Sequence, residues 1–171
     1  MPESASQALY TPAQRARRDA TAWTLVQGVL APVQFLIFGI SLYLVVHSLQ
    51  TGEDTQWALA SVVLKTVVLY AIMITGAIWE KVVFDCYLFA PAFFWEDVVS
   101  MGVMALHTAY VWVWWQGQWS TYEQLVLALA AYGSYAFNAA QYIRKLRMAR
   151  LQKILSSDHT TLPNTGAQAS L

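Results

Sequence analysis

The chain has 171 residues, of which 57% are hydrophobic and only 12% are charged, and its formal net charge is zero. Soluble domains carry about 25% charged residues, so this composition favours a membrane protein over a water-soluble one. Zero net charge argues against a nucleic-acid partner, which would require a basic patch, and the single Cys86 excludes an intrachain disulfide.

Four long apolar segments follow one another along the chain, at about residues 25–49, 57–79, 96–115 and 124–146. A helix needs roughly 20 apolar residues to cross a bilayer. None of the four segments alternates apolar and polar residues as a half-buried strand would. The sequence therefore predicts an all-α, polytopic integral membrane protein, with a bundle of four transmembrane helices in a domain of residues 23–155.

Charges outside these segments predict the orientation. Residues 1–22 carry three Arg against two acids, and five basic residues lie between positions 144 and 153, at and after the end of the fourth segment, whereas residues 50–56 hold two acids and no base. The positive-inside rule then places both termini and the connection of residues 80–97 in the cytoplasm. Residues 1–22 are expected to be a cytoplasmic tail, and residues 156–171, rich in small polar residues, a disordered one.

The connection EKVVFDCYLFAPAFFWED, residues 80–97, is too apolar for an ordinary solvated loop. It combines four acids with six aromatic side chains. Aromatic faces can stack against a large planar ligand, and half-buried carboxyl groups beside them can serve as general acids. The alternative is an aromatic belt at the membrane interface with acids at a helix end. The residues alone leave both interpretations open.

Ionisable residues inside the apolar segments are further candidates. His107 shares a helix face with Glu96 and is expected near the bilayer midplane, where such a group is a functional candidate. The alternative is a neutral histidine bonded to a neighbouring helix through Asn138 or a tyrosine. Lys65 is expected to snorkel outward to the acids of residues 50–56. Interhelical hydrogen bonds are expected from one face of the fourth helix, formed by Tyr135, Asn138 and Tyr142.

Two stretches carry a family resemblance: RRDATAWTLVQGVLAP, residues 17–32, and GAIWEKVVFDCYLFAPAFFWEDVVSMGVMALHTAY, residues 76–110. They resemble the 3-vinyl bacteriochlorophyllide hydratase family of phototrophic bacteria, also called 2-vinyl bacteriochlorophyllide hydratase. The resemblance implies a lyase of bacteriochlorophyll synthesis that adds water to the 3-vinyl group of a chlorophyllide or bacteriochlorophyllide. The product is the 3-(1-hydroxyethyl) pigment.

Such a hydration needs a general acid and a base, which half-buried carboxyl groups can supply. We expect the catalytic candidates to be Glu96 and Asp97, with Glu80 as the third. The pigment is expected to contact mainly aromatic residues, namely Trp79, Tyr87, Phe93, Phe94 and Trp95, together with Lys81 and His107. His107 is a candidate ligand of the pigment magnesium. No cofactor is expected, because hydration consumes no redox equivalents, and magnesium enters only as part of the pigment.

The expected partners are the pigment substrate, water, the lipid bilayer and other pigment-biosynthesis enzymes, with no nucleic acid. The expected location is the bacterial inner or intracytoplasmic photosynthetic membrane. A non-catalytic pigment-binding or assembly protein of that membrane is the leading alternative, since it would use the same aromatic platform. A proton or solute carrier using Lys65, Glu96 and His107 is a third class, disfavoured by the lack of an inverted repeat.

Overall fold

The computed structural model describes residues 9–160, and within that range it contains helices and no strand. The five helices are α1 (Pro12–Ala20), α2 (Ala22–Thr51), α3 (Thr55–Phe84), α4 (Phe94–Gln116) and α5 (Thr121–Thr160). The predicted all-α class is therefore confirmed.

Among the helices of the described residues, α2, α3 and α4 are long and apolar enough to cross a membrane, judged by length and composition. This agrees with the prediction of a membrane protein. Helix α5, with 40 residues, mixes apolar positions with Tyr, Ser and Asn and becomes basic toward its C-terminal part. The mean hydropathy of α5 is therefore lower than that of α2, α3 and α4, and by composition α5 is not counted with them as a candidate membrane span.

Two tight connections reverse the chain between α2 and α3 and between α4 and α5. Gly52 ends α2 with φ of 75°, and Gly117 ends α4 with φ of 64°, both in the left-handed region that glycine adopts without steric cost. Each glycine N–H bonds back to a carbonyl of the last turn, from Gly52 to Ser48 and from Gly117 to Val113. These caps make the neighbouring helices antiparallel.

Helix α2 packs along α3 and α4 packs along α5, with further contacts of α5 with α2 and α3 and of α3 with α4. The core between them is closest packed toward the Gly52 and Gly117 ends. Its fully buried members are mostly small or aromatic: Val45, Ala58, Val62, Tyr110, Leu125, Ala128 and Tyr132. At the opposite end the helices diverge enough to leave a cavity.

The connection between α3 and α4 is shorter than the sequence suggested. Helix α3 continues to Phe84 and α4 begins at Phe94, so only residues 85–93 lie outside helices. The extra turn of α3 is supported by Lys81, whose Nζ bonds the carbonyl and the carboxylate of Asp85 at 2.9 and 3.0 Å. Most of the acids expected in a loop therefore lie on helices.

The two expected tails are only partly described. Residues 1–8 and 161–171 lie outside the described residues, whereas residues 156–160 continue α5. Within the N-terminal stretch, Thr11 caps α1 through a reciprocal capping box with Gln14. Helix α1 packs against α3, and Tyr10 stacks on Phe84 with ring centroids 5.7 Å apart. The N-terminal stretch is thus docked on the end of the helices that holds the cavity.

Candidate active site

A cavity of about 1140 Å³ opens between α1, α2, α3 and α5, with the first turns of α4 closing one side. Ligand pockets for small molecules usually span about 300–1,000 Å³, so this one suits a large ligand. Its walls are mainly apolar, with Phe35, Leu69 and Ile72 at the deep end and Trp79 and Phe93 nearer the mouth.

Two carboxyl groups line the cavity side by side. Glu80 comes from the last turn but one of α3 and Asp97 from the first turn of α4, and both residues are at least 95% buried. Their carboxyl groups are close enough for each to act on the charge of the other. Like charges held this closely oppose one another, so a pair of this kind is most stable with one proton between its two groups. Such a pair can offer both an acid and a base.

The connection of residues 85–93 folds over this pair and points backbone N–H groups at it. Phe89 N–H donates to Asp97 Oδ2 at 2.8 Å, and Ala90 N–H donates to Glu80 Oε2 at 3.3 Å. Phe89 has φ of 61°, a left-handed conformation that costs a non-glycine residue roughly 1–2 kcal/mol. Its hydrogen bond to Asp97 offsets that cost, so the acidic pair and the bend of the connection depend on each other.

A chain of polar side chains leads from Asp97 along α4 and α5. Tyr142 donates its hydroxyl to Asp97 Oδ1 at 3.3 Å, and Asn138 Nδ2 donates to Ser100 Oγ at 2.8 Å. All four residues line the cavity. The hydrogen bonds predicted from this face of the fourth helix are therefore confirmed for Asn138 and Tyr142, and the same side chains also face the cavity, which the sequence did not indicate.

Of the predicted pigment contacts, Trp79 and Phe93 line the cavity. Trp79 Nε1–H donates to Thr24 Oγ1 on α2 at 2.9 Å, which fixes the indole. Phe93 packs edge-on against Trp79 with centroids 5.9 Å apart and nearly parallel to Tyr142 at 6.1 Å. These rings form an aromatic wall beside Glu80 and Asp97.

The structure separates Glu96 from the other two acids. Its Oε2 accepts a hydrogen bond from Lys145 Nζ at 2.6 Å, and the ion pair ties α4 to α5. Glu96 does not line the cavity, although it neighbours Asp97 in sequence. Successive helix residues differ by about 100° in direction, so Asp97 faces the cavity while Glu96 faces α5. Of the three predicted catalytic acids, the structure brings Glu80 and Asp97 together at the cavity and places Glu96 apart from it.

Four other predicted contacts lie outside the cavity. Lys81 bonds Asp85, and its ammonium holds the pKa of that exposed carboxyl below the usual range. Tyr87, Phe94 and Trp95 are exposed by 62, 43 and 70%. They stand on the outer side of the connection and the first turn of α4, because the inner side of this segment is occupied by Phe93 and Asp97. These three exposed rings fit the alternative interpretation of the segment, in which its aromatic residues form a belt at the membrane interface.

His107 is fully buried in the core and does not line the cavity. Its Nδ1–H donates to the Val103 carbonyl at 2.8 Å, so the expected bond to Asn138 or a tyrosine is not the one formed. In this position His107 faces the interior of the bundle and not the cavity.

Lys65 is also fully buried, with its Nζ 3.7 Å from the centre of the Tyr135 ring. The prediction that it extends outward is wrong, because α4 and α5 enclose it. The three residues that a proton or solute carrier would use, Lys65, Glu96 and His107, do not form one group. Glu96 pairs with Lys145 instead.

The mouth of the cavity carries positive charge from residues that were not predicted for the site. Arg15 and Arg18 of α1 and Arg150 of α5 line it, together with Asp19. Arg18 pairs with Asp19 at 2.6 Å and lies over the ring of Tyr10 at 4.8 Å. Their basic character was visible in the sequence, but only the docking of α1 brings it to the cavity. Within the described residues, no cluster of three or more His, Cys, Asp or Glu residues could hold a metal ion.

Comparisons with known proteins agree with one another. The family model for 2-vinyl bacteriochlorophyllide hydratase (BCHF) matches residues 10–148. The chain is similar to the 2-vinyl bacteriochlorophyllide hydratase of Rhodobacter capsulatus, with 62% identity over 91% of this chain and 90% of the relative. It is also similar to that of Cereibacter sphaeroides, with 63% identity over 88% and 93%. No solved structure matches the chain.

Proposed function

Because the chain belongs to the 2-vinyl bacteriochlorophyllide hydratase family, we propose that its cavity is where the vinyl pigment is hydrated. The enzyme is a carbon–oxygen lyase of bacteriochlorophyll synthesis. The main support for this assignment is the buried pair of Glu80 and Asp97, which lies on the wall of a cavity large enough for a planar macrocycle.

The reaction adds one water molecule across the carbon–carbon double bond of the vinyl group. A proton goes to the terminal carbon, and positive charge develops on the carbon attached to the macrocycle, where conjugation spreads it. The water oxygen then bonds to that inner carbon and loses a proton. The protein must therefore deliver one proton and accept another, so the protonation state of the pair is restored after each turnover.

We assign the general acid to Glu80 and the base to Asp97. Asp97 accepts hydrogen bonds from the Phe89 N–H and the Tyr142 hydroxyl, which stabilise a carboxylate. Glu80 accepts only one such bond, from the Ala90 N–H at 3.3 Å, so the proton of the pair is better placed on Glu80. A carboxylate at Asp97 also stabilises the cation that develops beside it.

The basic residues at the mouth of the cavity can orient the pigment. A bacteriochlorophyllide has a flat apolar macrocycle and a carboxylate on one edge, and Arg15 and Arg18 can hold that carboxylate at the mouth. The macrocycle then lies against Trp79 and Phe93. No organic cofactor is needed in this scheme, and magnesium enters only with the pigment.

Replacing Arg15 should raise KM for the pigment without lowering kcat. We expect Arg15→Gln to raise KM about fivefold, the effect of losing one charge-assisted contact that is partly exposed to solvent. Steady-state kinetics in detergent-solubilised protein measure this. Arg17→Gln is the matched control, because Arg17 lies on the same helix and does not line the cavity. An equal KM in the Arg15 and Arg17 variants would contradict the assignment.

For the topology, we propose that α5 crosses the membrane with α2, α3 and α4 and that both termini are cytoplasmic. Support comes from the packing of α5 along α4 and from the basic residues near both ends of the chain. In this orientation the mouth of the cavity lies at the cytoplasmic face of the inner or intracytoplasmic membrane. Other pigment-biosynthesis enzymes could then exchange substrate and product with it there.

A labelled-water experiment separates this function from non-catalytic pigment binding. Purified protein with vinyl bacteriochlorophyllide in ¹⁸O-labelled water should yield the hydroxyethyl pigment with one labelled oxygen, detected by mass spectrometry. Heat-denatured protein provides the blank. Pigment that is bound but recovered with its vinyl group intact would instead support a binding or assembly protein.

A further inference from the structure

Gln34 and Asn138 both line the cavity and have a buried amide oxygen with no hydrogen-bond partner in the described chain. Of the two, Asn138 belongs to the polar side chains that lead to Asp97. Asn138 is 9% exposed, and its amide nitrogen donates to Ser100. Its amide oxygen, Oδ1, is buried and has no hydrogen-bond partner among residues 9–160. A buried acceptor left unsatisfied costs about 1–3 kcal/mol. Because Asn138 lines the cavity, a ligand there can supply the missing donor.

The chemistry of the reaction limits which ligand atom can donate a hydrogen bond to Asn138 Oδ1. A bacteriochlorophyllide uses its ring nitrogens to bind magnesium, and its vinyl group and carbonyls offer no N–H or O–H. The proposed hydration introduces two O–H donors near the vinyl group, one on the attacking water and the other on the hydroxyethyl group of the product. An amide oxygen can accept from either.

The position of Asn138 places this acceptor near the acidic pair. Its partner Ser100 follows Asp97 by three residues on α4, which is about one helical turn. Tyr142, one turn after Asn138 on α5, donates to Asp97. A water molecule held by Asn138 can therefore also reach the carboxylate that is proposed to take its proton.

We propose that Asn138 Oδ1 binds the water that adds to the vinyl group and then the hydroxyl of the product. This rests on the proposed function. In the addition, the water oxygen bonds to the inner vinyl carbon and its proton passes to Asp97, while the proton of Glu80 goes to the terminal carbon. Asn138 exchanges no proton and orients the oxygen.

The test compares affinities for the two pigments. In Asn138→Leu, which keeps a similar side-chain size, we expect Kd for the hydroxyethyl product to rise about fivefold and Kd for the vinyl substrate to change less than about twofold. Absorbance titration of the solubilised full-length protein measures both. If Asn138 had only a structural role, its replacement would raise Kd for both pigments by the same factor. We also expect kcat to fall at least about tenfold while KM for the vinyl pigment stays near its wild-type value.

One variant with the same kind of buried amide oxygen serves as the comparison. Gln124 has a buried amide oxygen without a partner in the described chain but lies outside the cavity, so Gln124→Leu should leave the ratio of the two Kd values unchanged. Asn138→Ala carries the same test if the leucine variant does not fold.

An unchanged ratio in a folded Asn138 variant would overturn the proposal, as would an equal change in Gln124→Leu. Wild-type turnover is measured in the same preparation. If the wild type forms labelled product and the ratio of the two Kd values does not change in the Asn138 variant, the inference about Asn138 is wrong and the proposed function stands. If the wild type forms none, the proposed function fails.

Discussion

Glu80→Gln is expected to lower kcat by about 10² to 10⁴-fold, the range associated with loss of a general acid or base. The amide cannot deliver the proton that the terminal vinyl carbon requires, yet its oxygen can still accept the bond from Ala90. Asp97→Asn should fall in the same range, because the amide cannot accept the proton of water while still bonding Phe89. Turnover is measured in membranes that contain matched amounts of protein.

Carboxyl groups at the other end of the molecule provide matched controls. Glu53 and Asp54 are exposed in the connection between α2 and α3, so Glu53→Gln and Asp54→Asn should keep wild-type turnover. Glu96→Gln separates the two candidate pairs, because Glu96 bonds Lys145 outside the cavity. Near-normal turnover in Glu80→Gln, with a large loss in Glu96→Gln, would contradict the role of Glu80 as the general acid.

Filling the cavity should have an effect of similar size. Gly28 of α2 lines the cavity, and a Cβ built there meets no atom within 4 Å, so Gly28→Trp can place an indole in the space assigned to the pigment. We expect kcat/KM to fall at least about 100-fold, because displacement of a substrate by even 1 Å can cost that much. Pigment binding followed by absorbance should weaken in parallel, with the protein recovered at the normal yield.

The same substitution elsewhere on the helix tests whether the effect is local. Gly39 also lies in α2 and has open space around a Cβ, but it does not line the cavity. Gly39→Trp should therefore bind and hydrate the pigment as the wild type does. Equal losses in the two variants would show that α2 tolerates no tryptophan, and retained binding in Gly28→Trp would place the pigment elsewhere.

The sequence predicted the helical class and the acidic, aromatic segment because both depend on local composition. Runs of about 20 apolar residues have few alternatives to a helix. The choice between Glu96 and Glu80 depends on long-range packing instead. Glu96 turns toward Lys145, which lies 49 residues further along the chain, and that partner becomes apparent only when α5 packs on α4.

Lys65 illustrates a second limit. Snorkelling is the usual behaviour of a lysine near the end of an apolar segment, but it requires a lipid-facing or solvent-facing direction. Lys65 points inward, where Tyr135 covers its ammonium group. Likewise, the arginines of α1 could be counted as topological charges, but their place at the mouth depends on Tyr10 docking against Phe84.

The hydrogen bonds from Phe89 and Ala90 to the acidic pair also bear on how the chain tolerates change in length. Insertions are usually accepted in exposed connections whose backbone makes few bonds. The connection of residues 85–93 is different, because adding or removing one residue would move both N–H groups away from Asp97 and Glu80. At the other two turns, the N–H groups of Gly52 and Gly117 bond only to the last turn of the preceding helix. An epitope tag or a fluorescent fusion therefore belongs at those turns, and the connection over the acids should keep its length.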